Sequence, residues 1–157
     1  MDTNSRETIT RFLAQYDTLA LATEQEGQPY VTRVFYVEQA LQDTRLTLYG
    51  TFLTTSRKLA NLRQNPRVGL FIGPSEPTAW LEATAVAHVL TGESESQAVR
   101  EKLSKKSAVA ATFIAQVPIV AVELQVNWLR ITDLGANPMW TEATIGAGGE
   151  HDHEQNR

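Results

Sequence analysis

Apolar and polar residues alternate over several short stretches of this chain, and a two-residue period predicts strands. Leu46 and Leu48 alternate with Thr47 and Tyr49 until Gly50 breaks the run. Val68, Leu70 and Ile72 resume the alternation after Pro66. Between Tyr30 and Val37 the chain carries apolar residues on both faces: Val31, Arg33, Phe35 and Val37 on one, Tyr30, Thr32, Val34 and Tyr36 on the other. The first of these reads as the buried face, which would place Arg33 among apolar neighbours. Further strands are predicted over Leu19–Thr23, over Ala79–Val89 and over Ile119–Val126, continuing through Trp128–Thr132 after a bulge or corner near Asn127.

Helical spacing marks the rest. Ile9, Phe12, Leu13 and Tyr16 form one stripe behind an Asn4/Glu7 capping box. Leu59 and Leu62 bury one face of a helix over residues 57–65, with Ser56 or Thr55 as N-cap and Pro66 forbidding its continuation. Ser94 and Gln97 form a second capping box before Val99 and Leu103, with Lys102, Lys105 and Lys106 outside as a solvated basic face. A last helix over residues 108–116 points Val109 and Phe113 inward.

About six strands joined by hairpin-length turns exceed what one open sheet with a single covered face would use. They predict a mainly β fold with flanking helices, a six-stranded antiparallel barrel. The domain spans residues 1–134. From Gly135 the pattern dissolves into a Gly-rich polar tail, 135–157, whose last ten or so residues are predicted to be disordered. Trp140 stands alone there, a large aromatic suited to docking on the body or on a partner subunit.

Composition narrows the function classes. The chain has 157 residues, no cysteine and a net charge of −4, which suits one domain and excludes thiolate chemistry and broad nucleic-acid binding. The N-terminus lacks a signal-peptide apolar core, and no apolar run approaches a bilayer-spanning length, so a reducing cytoplasm fits. His151, Asp152 and His153 are too sparse a set for a functional metal site. His88 reads as a strand-end histidine without a ligand.

The chemistry lies in the charges. Arg57 and Lys58 open a helix, where the macrodipole disfavours cations by roughly 0.3–1 kcal/mol each. Free backbone N–H groups and the hydroxyls of Thr54, Thr55 and Ser56 share that place, so it suits an anion, phosphate above all. On spacing alone, two solvated surface cations fit equally well. Arg33 needs a carboxylate, a ligand anion or an open cleft if buried; a snorkelling edge-strand arginine is the alternative.

The runs LALATEQEGQPYVTRVFYV, LTLYG, SRKLANLRQNPRVGLFI and WLEATAVAHVL resemble the FMN-binding split barrel of the pyridoxamine 5′-phosphate oxidase-like superfamily, in order over Leu19–Asp133. The resemblance implies a homodimer with two flavin sites at the subunit interface. It implies phosphate binding by Ser56, Arg57 and Lys58, a strand arginine at Arg33 with its neighbour Val34, and a flavin edge along Tyr49, Gly50 and Thr51. Trp140 joins the cofactor-binding set. The chain lacks the Arg-Leu-x-Pro ending of the vitamin B6 oxidases and carries Ala79 and Trp80 where those enzymes place a flavin-contacting glutamine. The resemblance therefore implies FMN and a flavin-dependent oxidoreductase of unspecified substrate. A non-catalytic flavin protein, or a binder of F420 or of haem through His88 or the tail histidines, remains open. So does a barrel without cofactor.

Overall fold

A computed structural model describes residues 1–42 and 45–146. The expected disorder of the chain's last ten residues, and His151 and His153, lie outside the described residues. Seven strands and four helices follow one another as α1 (Thr3–Ala14), β1 (Thr18–Gln25), β2 (Gln28–Glu38), β3 (Leu46–Leu53), α2 (Arg57–Gln64), β4 (Arg67–Ile72), β5 (Ala79–Val89), α3 (Glu93–Lys106), α4 (Ala108–Gln116), β6 (Ile119–Asp133) and β7 (Trp140–Thr144) among the described residues.

All strand pairs are antiparallel, in the order β3-β2-β1-β4-β5-β6-β7, and a further β3–β6 ladder closes the first six into a barrel. β6 makes the closure possible by its length. Its first half pairs with β3, from Ile119 opposite Leu53 to Val126 opposite Leu46, and its second half pairs with β7. The register against β5 slips at Asn127, which lies between the pairs Ala85–Val126 and Thr84–Trp128. The bulge near Asn127 is thus borne out; Asn127 Oδ1 accepts from Thr84 Oγ1 at 2.5 Å, and its carbonyl accepts from Ile145 N–H.

The barrel interior is filled by Leu19, Leu21, Val34, Tyr36, Leu48, Phe52, Leu70, Ile72 and Leu81, all at most 4 % exposed. Tyr36, fully buried, donates from its hydroxyl to the Leu13 carbonyl at 2.8 Å, and burial holds its pKa far above the usual phenol value. Glu26 and Gly27, both with positive φ, form the two-residue turn that links β1 to β2.

Several local readings are corrected. The inward face of β2 is Val34/Tyr36, so Val31 (64 % exposed) and Arg33 face outward. Apolar residues on both faces hid which one met the core. Asp2, accepting from Ser5 N–H at 2.7 Å, caps α1 in place of Asn4, and Gly92 caps α3 in place of Ser94. On α4 Val109 is 67 % exposed and Phe113 only half-buried; Ala110 is the buried residue. Lys106 does not belong to a solvated face. It is largely buried, ion-paired with Glu38, bonded to the Leu13 carbonyl at 3.1 Å and seated 4.0 Å from the Tyr36 ring centroid. The region after Gly135 is not pattern-free throughout: Trp140–Thr144 pairs with β6, and Ile145 is buried in the core.

Candidate functional site

The ladder between β2 and β3 is short. It runs from Glu38/Leu48 to Tyr36/Gly50 and stops there, whereas β3 continues to Leu53 against β6 and β2 continues back to Gln28 against β1. The barrel wall is therefore split between the Arg33 half of β2 and the Thr51 end of β3. Gly50 sits at the fork. A Cβ there would lie 3.2 Å from both Val34 Cγ1 and Phe52 Cε1 and 3.3 Å from the Phe35 carbonyl, so the strands converge this closely only around glycine.

Helix α2 follows directly. Leu59 and Leu62 are buried, each worth about 1.5–3 kcal/mol on full burial. Between them Asn61, fully buried, donates from Nδ2 to Thr23 Oγ1 at 3.0 Å, and Asn65 donates to Glu24 at 2.6 Å. These contacts fix the helix against β1 and set its N-terminus beside the end of β3.

What that N-terminus presents is unusual. Ser56 is the N-cap, yet its hydroxyl makes no capping bond; Ser56 Oγ is buried and has no partner among the described residues. Thr51 Oγ1, on the face of β3 opposite Phe52, is buried and unpartnered as well. An unpaired buried hydroxyl costs about 1–3 kcal/mol, so the one at the start of α2, on Ser56, marks a place suited to a further group. The cations agree. Arg57 stacks 4.8 Å from the Tyr30 ring centroid and Lys58 lies 5.4 Å from that of Phe52. Neither meets a carboxylate among the described residues. Burial without a counter-charge lowers the Lys58 pKa below the ordinary ammonium value. Two cations, the free Ser56 hydroxyl and a helix N-terminus fit a phosphate-sized anion.

The remaining predicted residues fall in four places. Arg33, exposed and without a hydrogen-bond or ion-pair partner among the described residues, lies on the outer wall in register with Ala20 and then Phe71. Val34 is buried in the barrel and brings its side-chain Cγ1 to the Gly50 fork, while the backbone oxygen that meets the fork is that of Phe35. Tyr49 turns toward α3: its hydroxyl donates to Gln39 Oε1 at 2.9 Å and lies 3.4 Å from Glu123 Oε2, and burial followed by the Glu123 charge raises its pKa. Trp140, 58 % exposed, pairs with Thr132. Thr132 lies 13 positions along β6 from Ile119, the partner of Leu53, or roughly 40 Å of strand path. Within one chain Trp140 and the Ser56 cluster are at opposite ends.

Sequence reasoning did not single out Asn61, although a polar residue between two buried leucines on a short helix was the signal. His88 is exposed and pairs with Glu123, on the Tyr49 side. No group of three metal-ligating side chains occurs among the described residues, and no described helix is long and apolar enough to cross a membrane.

Comparison with known proteins gives the same architecture. The family model for pyridoxamine 5′-phosphate oxidase matches residues 5–133. No curated protein sequence matches. Solved structures similar in fold include a Clostridium acetobutylicum protein related to general stress protein 26 of the pyridoxinephosphate oxidase family (14 % identity, 92 % of this chain and 97 % of that one, TM-score 0.68). The haem storage protein HutZ of Vibrio cholerae is similar at 22 % identity, over 76 % of this chain and 88 % of its own, with a TM-score of 0.63. An FAD-binding protein of Mesorhizobium loti is similar at 21 % identity, over 80 % and 90 %, with a TM-score of 0.59.

Proposed function

Because the chain belongs to the pyridoxamine 5′-phosphate oxidase family, we propose that it binds FMN and acts as a flavin-dependent oxidoreductase on a small-molecule substrate. The observation that carries the reading is the buried, unpartnered hydroxyl of Ser56 at the start of α2, next in sequence to the uncompensated cations Arg57 and the partly desolvated Lys58. Ser56 Oγ and the first backbone N–H groups of α2 donate to the phosphate, and Arg57 and Lys58 neutralise it. Thr51 and the backbone of β2 at Phe35 line the split, where Gly50 leaves no side chain in the way. Arg33 places a positive charge on the outer wall. When bound, the isoalloxazine ring supplies the hydride-accepting chemistry. The chain's own contribution is binding, orientation and charge.

The proposal includes a second copy of the chain. Exposed Val31 and Phe71 flank Ala20, Ala22 and Gly69 on the outer wall, in the registers Val31–Ala22–Gly69 and Arg33–Ala20–Phe71. Small residues rimmed by apolar ones allow close approach of another sheet. A homodimer on this wall brings the Arg33 side of each site to a subunit interface, and sedimentation at micromolar concentration should give twice the chain mass.

Haem is the second reading, favoured by the similarity in fold to a haem storage protein. Against it, His88 lies on the Tyr49–Glu123 side of the barrel rather than at the α2 terminus. The visible spectrum of the protein as purified, and after adding FMN, separates the two. A two-band flavin spectrum supports FMN, a Soret band supports haem, and failure to take up FMN removes the leading reading.

A further inference from the structure

Helix α4 has no charged residue, yet Ala110 is its sole buried position, and Val109 is 67 % exposed. A helix apolar on most sides is ordinarily buried. Between α4 and α3 lies an open groove of about 680 Å³, within the range of small-ligand sites. One wall is apolar, from Ala111, Ile114 and Ala115; the other carries Arg100, Ser104 and Lys105. Arg100 is the anomaly in that wall. Its guanidinium makes one hydrogen bond, from Nη2 to the Ile119 carbonyl at 3.3 Å, and its Nε is buried with no acceptor among the described residues. A guanidinium has five donor hydrogens; at half-buried Arg100 the Nη1 donors have no protein acceptor among the described residues and are open to a ligand in the groove. Glu101, the acidic residue of the groove, is held by Gln97 Nε2 at 3.1 Å on its own helix and gives Arg100 no bond.

We propose that this groove binds a small amphiphilic carboxylate, with the carboxylate on Arg100 and Lys105 and the alkyl chain along Ala111, Ile114 and Ala115. The site is separate from the split beside α2 and does not rest on the flavin reading. A carboxylate supplies the planar acceptor that matches the guanidinium fork, and the uncharged wall of α4 takes the chain.

Sodium octanoate titrated into ¹⁵N-labelled protein tests this. Amide shifts should saturate and concentrate on α3 and α4. Octanol, which has the chain without the charge, should bind at least ten-fold more weakly. Arg100→Met should weaken octanoate at least ten-fold. Ala115→Glu, at an exposed position, should abolish octanoate binding by placing a fixed carboxylate in the groove, without altering the urea midpoint of the protein; it keeps the test open if Arg100→Met does not fold. Shifts elsewhere, octanol binding as tightly as octanoate, undiminished binding by Ala115→Glu, or no shifts at millimolar octanoate would each overturn the proposal.

Discussion

Lys58→Met separates a residue kept for binding from one kept for folding. In the free protein the Lys58 ammonium is desolvated and has no carboxylate, which depresses its pKa. Methionine retains the apolar stem beside Phe52 and loses a cation–π contact worth about 0.5–1 kcal/mol. It also relieves the partial desolvation of that charge, which works in the opposite direction. The stability of the cofactor-free protein should stay within about 0.5 kcal/mol of the parent, or rise. FMN binding should weaken by the worth of one charge-assisted hydrogen bond, about 1.5–3 kcal/mol, which is about 10- to 150-fold in Kd. Urea denaturation gives the first quantity and quenching of flavin fluorescence the second. Saturating FMN at 100 times Kd stabilises the parent by about 2.7 kcal/mol, or about 5–11 °C in Tm for a domain of this size. The variant at the same FMN concentration should lose about half to nine-tenths of that shift. A fall in apo stability beyond about 2 kcal/mol with unchanged FMN affinity would show that Lys58 supports the fold and would remove it from the clamp.

Three further outcomes follow from other contacts. Gly50→Ala puts a Cβ 3.2 Å from Val34 and Phe52 side chains and should destabilise the protein by about 1–3 kcal/mol in urea, since the fork must open to admit it. Lys106→Met leaves the largely buried Glu38 carboxylate without its cation and should cost about 3–5 kcal/mol, read by thermal or urea denaturation. FMN affinity should fall as pH rises through the Lys58 pKa, which lies below 10.5 in the free protein. The sign follows from linkage. The anion binds the protonated amine, so the contribution is complete below that pKa and lost above it; the opposite trend would exclude Lys58 from the anion site.

Much of the barrel was legible because two-residue periodicity survives wherever one face of a strand is buried. Ala79–Val89 and Ala108–Gln116 coincide with their predicted spans, and the interruption at Asn127 is the register slip. Orientation was harder to read. On β2 both faces carry apolar residues, one for the barrel interior and one for an outer wall where Val31 lies exposed, so alternation could not say which side Arg33 takes. On α4 the face is ambiguous for the same reason, because no charged residue marks the solvent side. Strand β7 escaped because Trp140–Thr144 is short, polar and Gly-flanked, and is held by the far half of β6 through long-range pairing. The proposed anion site was legible as an oddity of charge at Arg57 and Lys58. Its strongest marks, the unpartnered hydroxyl of Ser56 and the partial desolvation of Lys58, depend on burial that sequence does not encode locally.

Comparison of FMN with riboflavin tests the central claim most directly, because the two differ only in the phosphate. Titrated into cofactor-free protein and followed by flavin fluorescence, FMN should bind at least about 100-fold more tightly, from two or more charge-assisted hydrogen bonds at Ser56, Arg57 and Lys58. Equal affinities for the two flavins would contradict a phosphate clamp at the start of α2.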